Sequence, residues 1–563
     1  MTPARRVVLA FALILLCAPP ARAHGAGQEY RVLVFWADRV SFEQLLETPE
    51  ILALARAGGA GLLTSPETAR PLVDRLVQDP AFPGLDEDVD ISTMSTGGIV
   101  LGARIRQTVE ATPGDLLVIV AGVTPSKAME AANDRVTGIV VARGHAEDLF
   151  PLAGSPRALT SDSTRRTGIV AAVDVVPAIL DHMGWPISEE TAGSKIRYTA
   201  GAAPFELHAR HLANMRIWLP VQVGAGVYLL VAGLGCLVLL LARRRVPGLV
   251  GRAATWAPLT VGPLGAALLA AGDLPSLSAA WVVPFVLLVP AAVVGASGML
   301  RRRGVLAPAA AVGSIALAYV VVEALAGFPA ALTPFLGGTQ LDGARFYGLP
   351  NAFIGLLLGS SVYAATRLLP LWGLALILAT GLLAGLPMLG ANHGAALTLF
   401  AGAGLWLALR VRGRLDARGI AIAVATAVVG MTVVVAAHAL SPVPTHGTRF
   451  LAGIADDPGS VWGKLADRLL IGLRLIARSP AAVVPALGAP VSLYFLLRPR
   501  GILREALEAH PVWRDALLAI LLASVVAYLG NDTGPAAAGL GFGMGLGGML
   551  YVSMAQASWR MEL

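Results

Sequence analysis

The chain predicts two architectures joined end to end: an α/β domain in the first 213 residues, then an all-α polytopic transmembrane bundle of about eleven helices. Three observations carry this reading. Apolar residues are 56% of the 563 and charged ones 14%, a balance too apolar for one globular domain. Long unbroken apolar runs begin only after about residue 213. The arginines between those runs collect in alternate connections.

Residues 1–23 begin with Arg5 and Arg6, continue through a short apolar run from Val7 to Ala18, and end at the small-x-small triplet Ala21-Arg22-Ala23. That pattern predicts a signal peptide, because the run is too short to span a bilayer comfortably. Residues 24–213 mix charge, proline and short apolar runs as an exported soluble domain would. The two cysteines, Cys17 and Cys236, both lie in apolar runs, and no disulfide is expected.

Residues 214–563 form the membrane part, with apolar stretches near 217–242, 254–271, 278–300, 305–328, 349–366, 370–387, 394–410, 419–440, 480–498, 514–530 and 534–555. If the first domain is exported, the first span ends in the cytoplasm at Arg243-Arg244-Arg245. Arg301-Arg302-Arg303, Arg367, the Arg410 to Arg418 cluster, Arg498, Arg500 and Arg560 then share that side. The C-terminus is expected to be cytoplasmic. The excess of 43 basic over 36 acidic residues follows from this topology, so no nucleic-acid partner is inferred. Residues 441–479 break the charge rule with Arg449, Lys464, Arg468, Arg474 and Arg478. Leu465, Leu469, Leu473 and Ile476 recur at helical spacing there, which predicts an amphipathic helix lying along the outer membrane surface.

In the exported domain, Arg31 to Trp36 reads as a buried strand ending at Ala37-Asp38, followed by a helix over 42–57. Strands are expected at 61–63, 116–121 and 137–142, and a helix at 170–183. An acidic residue at the carboxyl end of a parallel strand lies where open α/β sheets place ligands, which selects Asp38. Asp38, the segment Ala57-Gly58-Gly59-Ala60-Gly61-Leu62-Leu63-Thr64-Ser65-Pro66-Glu67-Thr68, the Ser161 to Gly168 string and Asp174 to Leu180 together resemble the alkaline phosphatase superfamily over about residues 30–185. The resemblance implies metal binding at Asp38 and a nucleophile at Thr68, or at Thr64 or Ser65. It also calls for Asp-His-Gly after a late strand. Here Leu116 to Ala121 runs into Gly122-Val123-Thr124-Pro125, with only His145 and Asp148 as nearby substitutes. The expectation is therefore the fold without the metal site, a pseudoenzyme with Asp38 and Thr68 as vestiges, and no metal or other cofactor.

In the bundle, polar residues gather at the ends of spans expected to face outward: Asp342, Arg345 and Tyr347; Asn392 and His393; His446 and Arg449; Asn531 and Asp532. Each has a structural role available, such as an interfacial ion pair for Asp342 with Arg345 or a helix cap for Asn392 and Asp532. Glu323 is expected well inside the fourth span. On one face, guanidinium groups suit a phosphate and histidines suit acid–base work. The catalytic candidates are His393, His446 and Asp532. The substrate-binding candidates are Asp342, Arg345, Tyr347, Asn392, Arg449 and Asn531.

The plan resembles bacterial families that pair an exported phosphatase-like domain with a membrane bundle. More loosely, it is similar to glycan polymerases and ligases acting on polyprenyl-linked sugars. The resemblance implies a bacterial plasma-membrane protein acting on a lipid-linked phosphate or glycan as a transferase. Membrane lipids, a polyprenyl-phosphate-linked glycan and envelope-assembly proteins would be its partners. The alternatives are a transporter or flippase, with Glu323 coupling protons or ions, and a metal-dependent phosphohydrolase or phosphotransferase.

Overall fold

The computed structural model describes residues 30–38, 40–64, 68–79, 85–94, 98–124, 136–187, 191, 193–202, 204–242, 253–337, 341, 347–441, 463, 470, 480–531 and 533–562. The chain divides into two compact units, Met1–His208 and Ala209–Leu563.

The first unit is built on one mixed sheet. Its strands are β1 (Tyr30–Asp38), β2 (Gly59–Thr64), β3 (Val89–Met94), β4 (Asp115–Thr124), β5 (Thr137–Gly144), β6 (Arg157–Ser161), β7 (Ile169–Ala171) and β8 (Ile196–Ala202). The order is β3-β1-β4-β5-β2-β6-β8, with β7 paired to β2. β1 lies parallel to β3 and β4, and β5 runs antiparallel between β4 and β2. Val32 to Ala37 and Leu116 to Ala121 are buried throughout, as expected of central strands covered on both faces.

The helix expected over 42–57 is two helices, α1 (Phe42–Glu47) and α2 (Pro49–Ala57). Pro49 disfavours helical geometry in the residue before it, and Thr48 is extended with ψ 118°. Ser41 and Gln44 close a capping box at the start of α1. Further helices are α3 (Ala69–Val77), α4 (Gly98–Ala111) and α5 (Val175–His182). The core between sheet and helices includes Val34, Trp36, Ile119, Val170 and Ile179.

The second unit is helical. After α6 (Phe205–Ala242), whose first turn the unit boundary crosses, come α7 (Val261–Ala270), α8 (Ala279–Gly298), α9 (Leu306–Leu325), α10 (Ile354–Ala365), α11 (Pro370–Gly385), α12 (His393–Arg412) and α13 (Ala417–Ala439). They are followed by α14 (Pro480–Leu497), α15 (Gly501–Ala509), α16 (Pro511–Gly530) and α17 (Gly534–Glu562). Among the described residues eight helices are long and apolar enough to cross a membrane. Three shorter apolar helices, Asn351–Ala365, Pro370–Gly385 and Gly488–Leu497, fall in three further expected spans. The protein is thus a sheet domain with a helical membrane bundle.

Every residue of α10 is buried, so this helix is the centre of the bundle. Close packing there depends on absent side chains: a Cβ on Gly355 would meet the Gly541 nitrogen of α17 at 2.3 Å. Leu357, Phe353, Leu521 and Met544 belong to the surrounding core. One end of the bundle is rich in arginine. Gly304 lies near Arg367, Arg514 donates to the Gly413 carbonyl at 3.0 Å, and Arg410 and Arg514 flank the Asp515 carboxylate at 3.8 and 3.3 Å.

Candidate functional site

The other end of the bundle gathers polar side chains around the turn from α11 to α12. Asn392 caps α12, its Oδ1 accepting from the Ala395 amide at 3.0 Å. Its Nδ2 donates to the Leu349 carbonyl and to Asn351 Oδ1, both at 2.9 Å, and its own amide donates to Ala384. One buried residue therefore joins the end of α11 through its backbone, and the start of α12 and the segment entering α10 through its side chain. The Leu349 amide donates to Gly390 at 2.8 Å. Gly348, at φ +78°, allows this approach, since a Cβ there would meet the Gly390 oxygen at 2.3 Å.

Asn531 follows α16 and packs against the first turn of α12, where a Cβ on Gly394 would overlap Asn531 Oδ1 at 2.0 Å. Its Nδ2 donates to Ala527 at 2.8 Å. The half-buried ring of His393 lies on the buried ring of His438 from α13, centroids 4.3 Å apart and planes at 45°. His438 Nε2 is 2.9 Å from the Gly385 carbonyl, and because a carbonyl only accepts, Nε2 carries a proton.

Of the residues selected from sequence, Asn392, His393 and Asn531 therefore come together, with Tyr347 beside Gly348 in the same turn region. Asp342, Arg345, His446, Arg449 and Asp532 lie outside the described residues, as does most of the 441–479 segment. His438 was missed. Its only signal is an imidazole near the end of an otherwise apolar run.

Glu323 is not deep within its span. It stands in the last turn of α9, because the helix stops at Leu325 and Gly327 and Phe328 take positive φ, 80° and 60°. Its buried carboxylate accepts from the Ala330 amide at 3.3 Å. Around it, Arg210 donates to the carbonyls of Gly272 and Leu274, and Asn214 to that of Thr333.

In the first unit Asp38 ends β1, in register with Thr124 of β4. Thr68 precedes α3, after β2. β1 and β2 are separated by β4 and β5, about 14 Å at ~4.8 Å per strand, too far for one phosphoryl group to bridge the two strand ends. His145 and Asp148 cannot complete a site at Asp38. β5 is antiparallel, so they follow its end at the opposite edge of the sheet, where Gly144 pairs with Leu116. His145 is exposed, its Nδ1 3.0 Å from the Gly114 carbonyl. Asp174, in the string that carried the phosphatase resemblance, is a buried tie: it accepts from Ser161 Oγ at 2.7 Å and from the amides of Ala171 and Ser194 at 2.9 and 2.8 Å. Among the described residues no three His, Cys, Asp or Glu gather to hold a metal ion.

No protein-family model matches the chain, and no curated protein or solved structure is significantly similar to it.

Proposed function

We propose that this chain is a membrane transferase acting at the outer face of the membrane on a lipid-linked phosphate or glycan. The observation that carries the reading is the meeting of Asn351, Asn392 and Asn531 with the His393–His438 ring pair at the starts of three helices. α10 and α12 begin beside the Asn351–Asn392 bond, and α17 begins just after Asn531. Helix starts carry unpaired amides and partial positive charge, an environment that favours an anionic phosphate. His393 would serve as the base that activates an acceptor hydroxyl, with His438 beside it, while Asn392 and Asn531 hold the walls. Arg345 and Arg449 would bind phosphate oxygens, Asp342 and Tyr347 the headgroup. His446 and Asp532 would share the acid–base work.

The arginine-rich opposite end supports an outward orientation for this one. A cysteine placed at Gly304 in a cysteine-free background would then label only from the cytoplasm. The first unit, in this reading, is an exported domain without phosphatase activity. The rival reading, a transporter, needs a coupling carboxylate near the bilayer midplane; Glu323, in the last turn of α9, accepts a hydrogen bond from the Ala330 amide, which is a structural role.

The test is native mass spectrometry of the purified chain with a polyprenyl phosphate and with the neutral polyprenol. Selective retention of the phosphate, lost in His393→Ala with Asn531→Ala, supports the proposal. Equal retention of both lipids rejects it.

A further inference from the structure

The segment from Gly327 to Gly337 is irregular apart from one 3-10 turn over Pro329–Leu332, yet Phe328, Ala330, Ala331, Thr333 and Phe335 are buried. Buried backbone outside regular helices persists only where its amides and carbonyls find partners inside the protein. Here the partners are side chains from two helices. Glu323 of α9 accepts from the Ala330 amide at 3.3 Å. From α6, Asn214 donates to the Thr333 carbonyl at 2.8 Å and Gln222 to that of Phe335 at 3.0 Å. The Phe335 amide in turn donates to Leu268 of α7 at 3.0 Å, and Thr333 Oγ1 to the Gly272 carbonyl at 3.1 Å.

The far end of this segment touches the candidate site. Gly337 lies against Ala352, where an added Cβ would meet the Ala352 Cβ at 2.8 Å. Ala352 is next to Asn351, whose Oδ1 receives the Asn392 amide.

We propose that Glu323 and Asn214 are positioning residues that seat the 327–337 segment and, through Ala352 and Asn351, fix Asn392 and the start of α12. Glu323 acts by accepting a hydrogen bond, without taking up or releasing a proton during function. Its carboxyl also faces that of Asp273, a contact that two carboxyl groups make only with a proton held between them. A glutamine in its place can accept from Ala330 and donate to Asp273, so it should substitute well. This inference rests on the transferase reading only for its functional consequence.

The test uses the full-length protein in lipid nanodiscs with two readouts: amide hydrogen exchange of the 326–337 peptide, and retention of a polyprenyl phosphate. Glu323→Ala and Asn214→Leu should speed exchange roughly two- to tenfold, the loss of one buried hydrogen bond, and weaken retention. Glu323→Gln should keep both at wild-type level. If Glu323→Ala does not assemble, Asn214→Leu reads the same loosening. Glutamine behaving like alanine would overturn the inference in favour of a proton-carrying role, and wild-type exchange in both loss variants would overturn it outright. Loosened exchange with unchanged retention would overturn the positioning role. A wild-type protein that retains no polyprenyl phosphate refutes the transferase reading, while the exchange data still decide whether Glu323 and Asn214 seat the 327–337 segment.

Discussion

The imidazoles of His393 and His438 meet at the starting end of α12, centroids 4.3 Å apart and planes tilted by 45°, and the His438 ring is fixed by its bond to the Gly385 carbonyl. A donor held in this way orients the ring beside it. His438→Phe keeps the ring contact and leaves the Gly385 oxygen without its donor, a loss of about 1–3 kcal/mol for a buried acceptor. The expected result is a lower unfolding midpoint in detergent and weaker retention of a polyprenyl phosphate. An unchanged midpoint would mean that the bond is dispensable.

Asn392 caps α12 and donates to both the Leu349 carbonyl and Asn351 Oδ1. Asn392→Ala removes the cap of α12, typically about 1 kcal/mol, and orphans the Leu349 carbonyl as well. Asn392→Asp preserves the cap and loses both Nδ2 bonds, placing a carboxylate against Asn351 Oδ1 and the Leu349 oxygen. Thermal unfolding should therefore rank wild type above both variants, and the aspartate should not rescue the alanine.

Gly394→Ala should be among the more damaging single-methyl additions in the bundle, because its Cβ would sit 2.0 Å from Asn531 Oδ1. Gly295→Ala is the control, with nothing within 4 Å, and should be neutral or stabilising by up to about 1 kcal/mol through helix propensity. Equal effects of the two would contradict the packing of Asn531 against α12.

Stability of the first unit should fall in acid. Burial tends to raise the Asp181 carboxyl, but Lys195 and Arg143 beside it outweigh that and hold it below the usual carboxylate range. Glu43 is also held low: His208 outweighs its burial. A lowered pKa gives stability that is present above the unfolded value, about 4, and is lost as pH falls through the folded one. Asp181→Asn should flatten the acid limb of an exchange-protection profile over residues 175–197. A limb of unchanged slope would assign the acid loss elsewhere.

The first unit should hold no tightly bound pair of divalent metals. The Asp38 edge of the sheet receives Gly122, Val123 and Thr124 from β4, none of which supplies the carboxylates or imidazoles that a dinuclear site needs. Elemental analysis of the purified protein, with phosphomonoester hydrolysis, is the measurement. Two zinc ions per chain with activity lost in Thr68→Ala would refute this.

Sequence alone determined what burial writes directly into residue order. β1 and β4 were readable as unbroken apolar runs because central strands are covered on both faces. The spans were readable because lipid demands length and apolarity. β3 was not: among the described residues Asp90, Ser92 and Thr93 lie in an edge strand that pairs only with β1, so its pattern is diluted. Nor could the sequence decide which span ends meet. The bonds from Asn392 to Asn351 and from His438 to Gly385 link residues 41 and 53 apart. The first exists because Gly348 lets the segment entering α10 approach Gly390, and the second because Gly385 and Gly430 let α13 pack closely on α11 and α12. Glu323 makes the same point locally: composition put it inside a span, whereas the turn at Gly327 and Phe328 put it at the helix end. Where a helix stops depends on which neighbouring side chains satisfy the backbone beyond it, and only the tertiary structure supplies those neighbours.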